Sequence, residues 1–97
     1  MRILILDEAE KDLKEGRQFY ERQREGLGAY FLDTLFSDID SLHLYAGIHL
    51  VFFGQYHRLL SKRFPFAVYC TRSEDTVFIH AVLDCRRNPS WIRKRLE

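Results

Sequence analysis

Cysteine, proline and long apolar runs are scarce in this sequence, and each scarcity excludes a class of protein. The 97 residues include two cysteines and two prolines. We expect Cys70 and Cys85 to be free thiols, because disulfides are rare in reducing compartments. No stretch approaches the roughly 20 apolar residues of a membrane-spanning helix. Acidic residues follow the apolar N-terminal run too closely for a signal peptide. The sequence therefore predicts a cytoplasmic protein without membrane contact.

Motifs that accompany bound nucleotides, metals or nucleophilic catalysis are also missing. The sequence has no glycine-rich phosphate loop, no His-x-x-x-His pair and no serine in a nucleophile elbow. Its four histidines (His43, His49, His57 and His80) are not closely paired with a cysteine or a carboxylate. We therefore expect no metal site and no cofactor. A packed His80 is favoured over a general base.

The charge of the chain is divided between its two halves. Residues 1–55 hold six Lys/Arg and ten Asp/Glu, a net charge of −4, whereas residues 56–97 hold nine and four, a net +5. A focused positive surface attracts phosphate or an acidic partner. The length fits one domain, residues 1–97, and 46% hydrophobic residues argue against disorder.

The first half predicts one strand and two helices. The run 2–6 has the length of a buried strand, and Asp7 with Glu10 has the form of a capping box. The helix that follows is expected to bury Ala9, Leu13, Gly16 and Tyr20 and to expose its charged residues, Asp12 and Glu21 included. Gly26-Leu27-Gly28 ends this helix. The second helix forms an αα-hairpin with the first and carries an apolar side made of Phe31, Leu32, Leu35, Phe36, Ile39 and Leu42.

The second half predicts a sheet and a short terminal helix. Strands are expected at 56–64, 66–72 and 76–84, with a turn at 73–75 and a short strand or loop at 49–53. A helix should follow Pro89. In the last strand, residues 77, 79, 81 and 83 should share one face, and 78, 80, 82 and 84 the other. The fold class is α+β: an antiparallel sheet with the hairpin on one face. The sheet face opposite the hairpin should be half-exposed, and we expect a partner to bind there.

Cations alternate with aromatic residues throughout this half. This combination suits single-stranded nucleic acid and an acidic peptide equally well, and an ordinary solvent-exposed surface is the third alternative. Arg58 and Lys62 should share a strand face with Leu60 and Phe64, forming a groove, and Arg63 should point away. Trp91 is expected more often to pack than to stack with a ligand, and Asp84 to pair with a neighbouring arginine. The cations are Arg58, Lys62, Arg63, Arg72, Arg86, Arg87, Arg93, Lys94 and Arg95.

Four short motifs stand in order along nearly the whole chain. They are Ala9-x-x-x-Leu13, Gly26-Leu27-Gly28-x-x-Phe31, Arg58-x-x-x-x-Arg63-Phe64-Pro65-Phe66-x-x-Tyr69 and Val82-Leu83-x-x-x-Arg87-x-Pro89-x-Trp91-x-x-x-Arg95. The ordered set resembles the RelE/ParE superfamily of toxins from bacterial type II toxin–antitoxin systems. The resemblance implies a cognate antitoxin whose acidic or amphipathic segment folds over the exposed sheet face. Operator DNA would be contacted only through that antitoxin.

Two activities divide the superfamily, and the resemblance favours one of them. RelE-like members cleave messenger RNA in the ribosome, whereas ParE-like members, associated with plasmid stabilisation, inhibit DNA gyrase. Phe66 stands where a groove arginine would be expected, and the tail offers Trp91 in place of a tyrosine. The ParE-like branch is therefore favoured, with a non-enzymatic toxin. An mRNA endoribonuclease is the alternative, and an inactive relative that only binds its antitoxin is the second.

The resemblance and the cationic pattern together select the candidate site residues. A nuclease would use Arg58, Lys62, Arg63 and Arg87 to stabilise phosphate charge. The residues expected to bind a macromolecular partner are Arg58, Leu60, Lys62, Phe64, Phe78, His80, Arg87, Trp91, Arg93 and Arg95.

Overall fold

The computed structural model describes residues 1–45 and 51–97. It contains a five-stranded sheet in the order β1-β5-β4-β3-β2, with the α1–α2 hairpin on one face and α4 on the other. The elements are β1 (Arg2–Ile5), α1 (Asp7–Gln23), α2 (Leu27–Asp40), α3 (Leu42–Tyr45), β2 (Val51–Phe53), β3 (Tyr56–Leu60), β4 (Phe66–Ser73), β5 (Thr76–Asp84) and α4 (Pro89–Leu96). The α+β class is confirmed. Positions 49 and 50 of the expected strand or loop lie outside the described residues.

The first strand differs from its prediction in pairing and in burial. It runs parallel to β5, with Ile3 opposite Val77 and Ile5 opposite Ile79, whereas the other strand pairs are antiparallel. The prediction of a buried strand is wrong, since β1 is the outermost strand of the sheet and Leu4 is 36% exposed. An edge position buries one side of a strand less completely than an interior position does.

The start of α1 is built without the predicted capping box. Leu6 occupies the N-cap position and no side chain caps it; its carbonyl accepts the hydrogen bond from the Glu10 amide at 3.0 Å. Asp7 is therefore the first helical residue, where its charge still favours the positive end of the helix dipole. The predicted apolar stripe is confirmed, because Ala9, Leu13, Gly16 and Tyr20 are all buried.

Glu21 organises the turn between the two helices, although the sequence pattern assigned it to solvent. Its carboxylate accepts hydrogen bonds from the Gly26 amide at 3.1 Å and from the Gly28 amide at 2.9 Å. These two bonds hold the pKa of Glu21 below its ordinary value. Gly26 adopts φ 87°, a conformation that favours glycine. The turn therefore draws the start of α2 tightly against α1.

Gly28 lies at a close approach of α2 to α1 and gives a stability prediction. A Cβ at this position would lie 2.7 Å from the Arg17 carbonyl oxygen. Because a backbone atom yields little, Gly28→Ala is expected to lower the free energy of unfolding by about 1–3 kcal/mol. Urea denaturation measures the change. Ser37→Ala, at an exposed position of α2, is the control and should shift stability by less than about 0.5 kcal/mol. Equal stability of the two variants would contradict the close packing.

A β-bulge at His80 divides β5 into two parts with opposite alternation. Tyr69 pairs with Ala81 and Cys70 pairs with Ile79, so His80 is the extra residue. Val77, Ile79 and Val82 consequently pack with the α1–α2 hairpin, whereas Ala81 and Leu83 pack with α4. The prediction that residues 77, 79, 81 and 83 share one face is therefore wrong. The predicted face of 78, 80, 82 and 84 is wrong at Val82 for the same reason.

Two hydrophobic cores lie on the two faces of the sheet. The larger one is centred on Phe31, whose ring centre is 5.2 Å from that of Tyr20, 5.1 Å from Phe64 and 4.9 Å from Phe66. On the other face, Ile92 and Leu96 of α4 are buried against the sheet, packing with Ala67, Tyr69, Ala81 and Leu83. The expected half-exposed sheet face is thus partly covered by the chain's own terminal helix. This is a correction, and its cause is the apolar pair spaced four residues apart on α4.

Candidate functional site

The C-terminal helix positions most of the candidate residues. It begins at Pro89, and Asn88 caps it by accepting a hydrogen bond from the Ser90 amide at 2.8 Å. Because Ile92 and Leu96 face the sheet, Trp91 and Arg95 face α1 and line a cleft there. Arg93 points to the other side, with its guanidinium 5.8 Å from the centre of the Phe53 ring. The helix thus divides the expected cationic groove in two.

The cleft between α1 and α4 has a volume of about 390 Å³ and aromatic walls. Phe19 of α1 is 49% exposed, and Trp91 of α4 is 36% exposed. The Arg87 guanidinium lies 3.8 Å from the centre of the Trp91 ring, a distance at which a cation and a ring attract each other. Arg87 and Trp91 therefore form one exposed, positively charged and partly apolar unit. The sequence pattern had favoured packing for Trp91; the structure shows partial exposure.

A partly buried ion pair lines this cleft. Arg95 donates from its two terminal nitrogens to the Asp12 carboxylate at 3.0 and 2.9 Å, and the Val82 amide donates to the same carboxylate at 3.0 Å. Asp12 is only 7% exposed, so its assignment to a solvated face is wrong. Burial raises the pKa of Asp12 above its ordinary value, with the Arg95 and Val82 contacts opposing the shift. The same pair raises the pKa of Arg95.

A second cationic area, the β2–β3 side, lies across α4 from the cleft. The Arg58 guanidinium stands 4.6 Å from the centre of the Phe52 ring, and Arg58 pairs with Tyr69 in the β3–β4 register. Burial raises the pKa of Tyr69, and the charge of Arg58 opposes this shift. The buried Tyr69 hydroxyl has no hydrogen-bond partner of good geometry among the described residues. Sequence reasoning placed Phe52 and Phe53 in a short strand or loop but did not include them among the site residues.

The predicted strand face of Arg58, Leu60, Lys62 and Phe64 is wrong because β3 ends at Leu60. The Ser61 hydroxyl donates to the buried Asp38 carboxylate at 2.6 Å, which turns the chain toward α2. Lys62 and Arg63 lie exposed in the bend that follows. Phe64 packs in the larger core instead, with its ring centre 4.8 Å from that of Tyr20. Only Arg58 and the 54% exposed Leu60 remain in the predicted arrangement.

His80 of β5 lies near the C-terminal end of α4 and packs against its neighbours. Its Nε2 atom is 2.8 Å from the Thr71 hydroxyl, and its ring centre is 5.1 Å from that of Tyr56, whose hydroxyl donates to the Leu96 carbonyl at 2.8 Å. Burial lowers the pKa of His80. Phe78 lies two residues earlier on β5, partly buried and opposite Thr71. The packed role favoured for His80 agrees with these contacts.

His80 gives a prediction about pH. A lowered pKa means that the folded state binds fewer protons than the unfolded state, so stability is lost as pH falls below the ordinary histidine value of about 6.5. His80→Gln removes the titration and can keep a hydrogen bond to Thr71. We expect the melting temperature of this variant to fall less than that of the wild type between about pH 7.5 and about pH 5.5. Parallel melting curves check this, since the two proteins differ only at position 80; identical losses would contradict it.

Several arginines of the second half contact aromatic rings or carboxylates. The expected pairing of Asp84 is confirmed, because Arg86 donates to it at 3.0 and 2.7 Å. That contact lowers the pKa of Asp84. Within residues 1–45 and 51–97, no cluster of three or more histidines, cysteines or carboxylates could hold a metal ion. In the same part of the chain, every helix is too short or too polar to cross a membrane.

Fold and site together define a small α+β domain whose terminal helix presents arginine–aromatic contacts on two sides. Neither the family models nor the curated proteins that were compared match this sequence. Among solved structures, a chain from the "Chromosomal ParDE TA system from P. aeruginosa" is similar, with a TM-score of 0.74 and 15% sequence identity. The match covers 84% of this chain and 92% of that one. The RelE/ParE-like fold that the sequence motifs implied is therefore confirmed.

Proposed function

We propose that this protein is the toxin of a type II toxin–antitoxin system and that it arrests growth by binding DNA gyrase. The fold shared with a chain of a ParDE system supports the toxin class. The observation that carries the target-binding role is the Arg87–Trp91 unit beside an aromatic-walled cleft. Tryptophan and arginine are the residue types that most often dominate the energy of a protein interface. Such a unit suits a protein partner, and the proposed toxin is not an enzyme.

The cognate antitoxin is proposed to occupy the β2–β3 side, which α4 leaves partly uncovered. Val51 is 59% exposed and Leu60 54% exposed, and Arg58 and Arg93 flank the Phe52–Phe53 pair. An acidic, partly apolar segment would complement both the apolar residues and the net +5 charge of residues 56–97. Contact with operator DNA would occur only through this antitoxin, and its binding would serve plasmid stabilisation by neutralising the toxin.

The alternative, a ribosome-dependent mRNA endoribonuclease, has weaker support from the geometry. Its four proposed cations do not converge: Arg58 rests on Phe52, Lys62 and Arg63 lie in the exposed bend, and Arg87 stacks on Trp91 beside α1. Cleavage of a phosphodiester requires charge stabilisation and proton transfer at one point. A scattered set of cationic groups meets the first requirement poorly.

Induced expression without the antitoxin separates the three functions. A gyrase-directed toxin should cause filamentation and DNA damage with intact transcripts, and the purified protein should inhibit supercoiling. An endoribonuclease should cut messenger RNA in a translation extract, with cleavage mapped by primer extension and abolished by Arg58→Ala. An inactive relative should bind a candidate antitoxin without arresting growth. Cleaved transcripts together with normal supercoiling would refute the gyrase proposal.

A further inference from the structure

We infer that Asp12 is a positioning residue, which holds α4 in the rotation that presents Arg87 and Trp91 to the partner. This inference rests on the proposed function, because it assigns a role at the same binding surface. Asp12 itself is buried beneath that surface and touches no partner in this scheme. It acts through Arg95, for which the sequence had suggested direct partner contact.

The ion pair is the directional contact between α4 and α1. Ile92 and Leu96 attach α4 to the sheet by apolar packing, which is non-directional. One hydrogen bond, from the Tyr56 hydroxyl to the Leu96 backbone carbonyl, joins the end of α4 to β3. A bidentate arginine–carboxylate contact, in contrast, fixes the plane of the guanidinium. The Val82 amide holds the carboxylate from the β5 side at 3.0 Å. The end of α4 is therefore tied to both α1 and β5 through one carboxylate.

Helix geometry carries this restraint to the binding surface. Trp91 precedes Arg95 by four residues, so both side chains lie on the α1 side of α4. The Arg87 guanidinium stacks on the Trp91 ring, so the position of Arg87 depends on the orientation of that ring. If Arg95 loses its carboxylate, α4 can rotate, and the Trp91 ring leaves the cleft wall opposite Phe19. The Arg87–Trp91 unit would then be present but wrongly oriented.

The experiment uses Trp91, the single tryptophan of the chain, as its own reporter. Asp12→Asn keeps the shape of the side chain and removes its charge, and Arg95→Lys keeps the charge and removes the two-point contact. Asp38→Asn is the matched control, because Asp38 is also a buried helix carboxylate, 3% exposed, but bonds to Ser61 instead of to a residue of α4. Fluorescence emission, acrylamide quenching, thermal melting and inhibition of gyrase supercoiling are measured for all four proteins.

We expect Asp12→Asn to fold, to show red-shifted and more readily quenched Trp91 emission, and to inhibit gyrase about tenfold less well than the wild type. Arg95→Lys should change in the same direction. Asp38→Asn should melt at a lower temperature with wild-type emission. Wild-type emission in Asp12→Asn overturns the inference, and so does an equal red shift in Asp38→Asn. If Asp12→Asn does not fold, the emission of Arg95→Lys decides by the same criterion.

Failure of the proposed function remains distinguishable from failure of this inference. A wild-type protein that leaves gyrase supercoiling unchanged refutes the gyrase target. The emission and quenching of Trp91 in the isolated variants still show whether Asp12 sets the orientation of α4.

Discussion

Replacing both Arg87 and Trp91 by alanine is expected to raise the concentration required for half-maximal inhibition of gyrase supercoiling at least tenfold, to about 100-fold. The expectation follows from exposure and geometry. Trp91 presents a large, partly apolar ring at the rim of the cleft, and the Arg87 guanidinium stacked at 3.8 Å adds a positive charge. Truncation removes both at once while leaving Ile92 and Leu96 to hold α4.

The matched control for this double variant is Arg22→Ala with Phe36→Ala. These residues are also an exposed arginine and an exposed aromatic residue, Phe36 being 46% exposed, but they lie on the α1–α2 hairpin. The control should inhibit gyrase as the wild type does. The proposal fails if the Arg87/Trp91 variant keeps both its wild-type melting temperature and its full inhibitory activity.

Truncation of Phe31 to alanine is expected to lower the free energy of unfolding by about 3–5 kcal/mol, a large part of the stability of a small domain. Phe31 is fully buried, and its ring contacts Tyr20 of α1, Phe64 of the bend before β4 and Phe66 of β4. The cavity would therefore lie where hairpin and sheet meet. Urea denaturation followed by circular dichroism measures the change.

Phe36→Ala provides the comparison within the same helix. The Phe36 side chain is about half-exposed, so its truncation should cost less than about 1 kcal/mol. Similar losses for the two phenylalanines would show that Phe31 does not anchor the larger core.

The parts of the fold that depend on local pattern could be predicted from the sequence. Helical spacing placed Ala9, Leu13 and Tyr20 in the core, and Gly26 and Gly28 marked the turn between the helices. The positions of β4 and β5 followed from runs of β-branched and aromatic residues. Each of these features is decided by residues close together in the chain.

The features that were missed depend on contacts between distant segments. Asp12 and Arg95 are separated by 83 positions, and no periodicity distinguishes a charged helix residue that meets a distant arginine from one that meets water. Phe64 joined the core because Ser61 bonds to Asp38 and ends β3 early, which strand propensity does not reveal. The burial of one sheet face by α4 likewise depends on how the C-terminal segment packs against distant strands.

At the candidate site, residue types were easier to predict than their arrangement. Arg58, Arg87, Trp91 and Arg93 lie at partly exposed places beside aromatic rings, in keeping with the predicted mixture of cations and rings. Their separation by α4 was not foreseen, since it follows from the burial of Ile92 and Leu96. One predicted groove thus became two surfaces, and this is why the antitoxin and the target are assigned to different sides.

The bulge at His80 has a consequence for comparing this chain with distant relatives. One additional residue exchanges the inner and outer positions of β5 from that point onward. A relative lacking this insertion would align correctly up to Ile79 and then out of phase, unless a single gap is introduced. Deleting His80 here should remove the bulge and leave Val82 facing the hairpin and Leu83 facing α4, because Ile79 and Ala81 would then be consecutive residues opposite Cys70 and Tyr69.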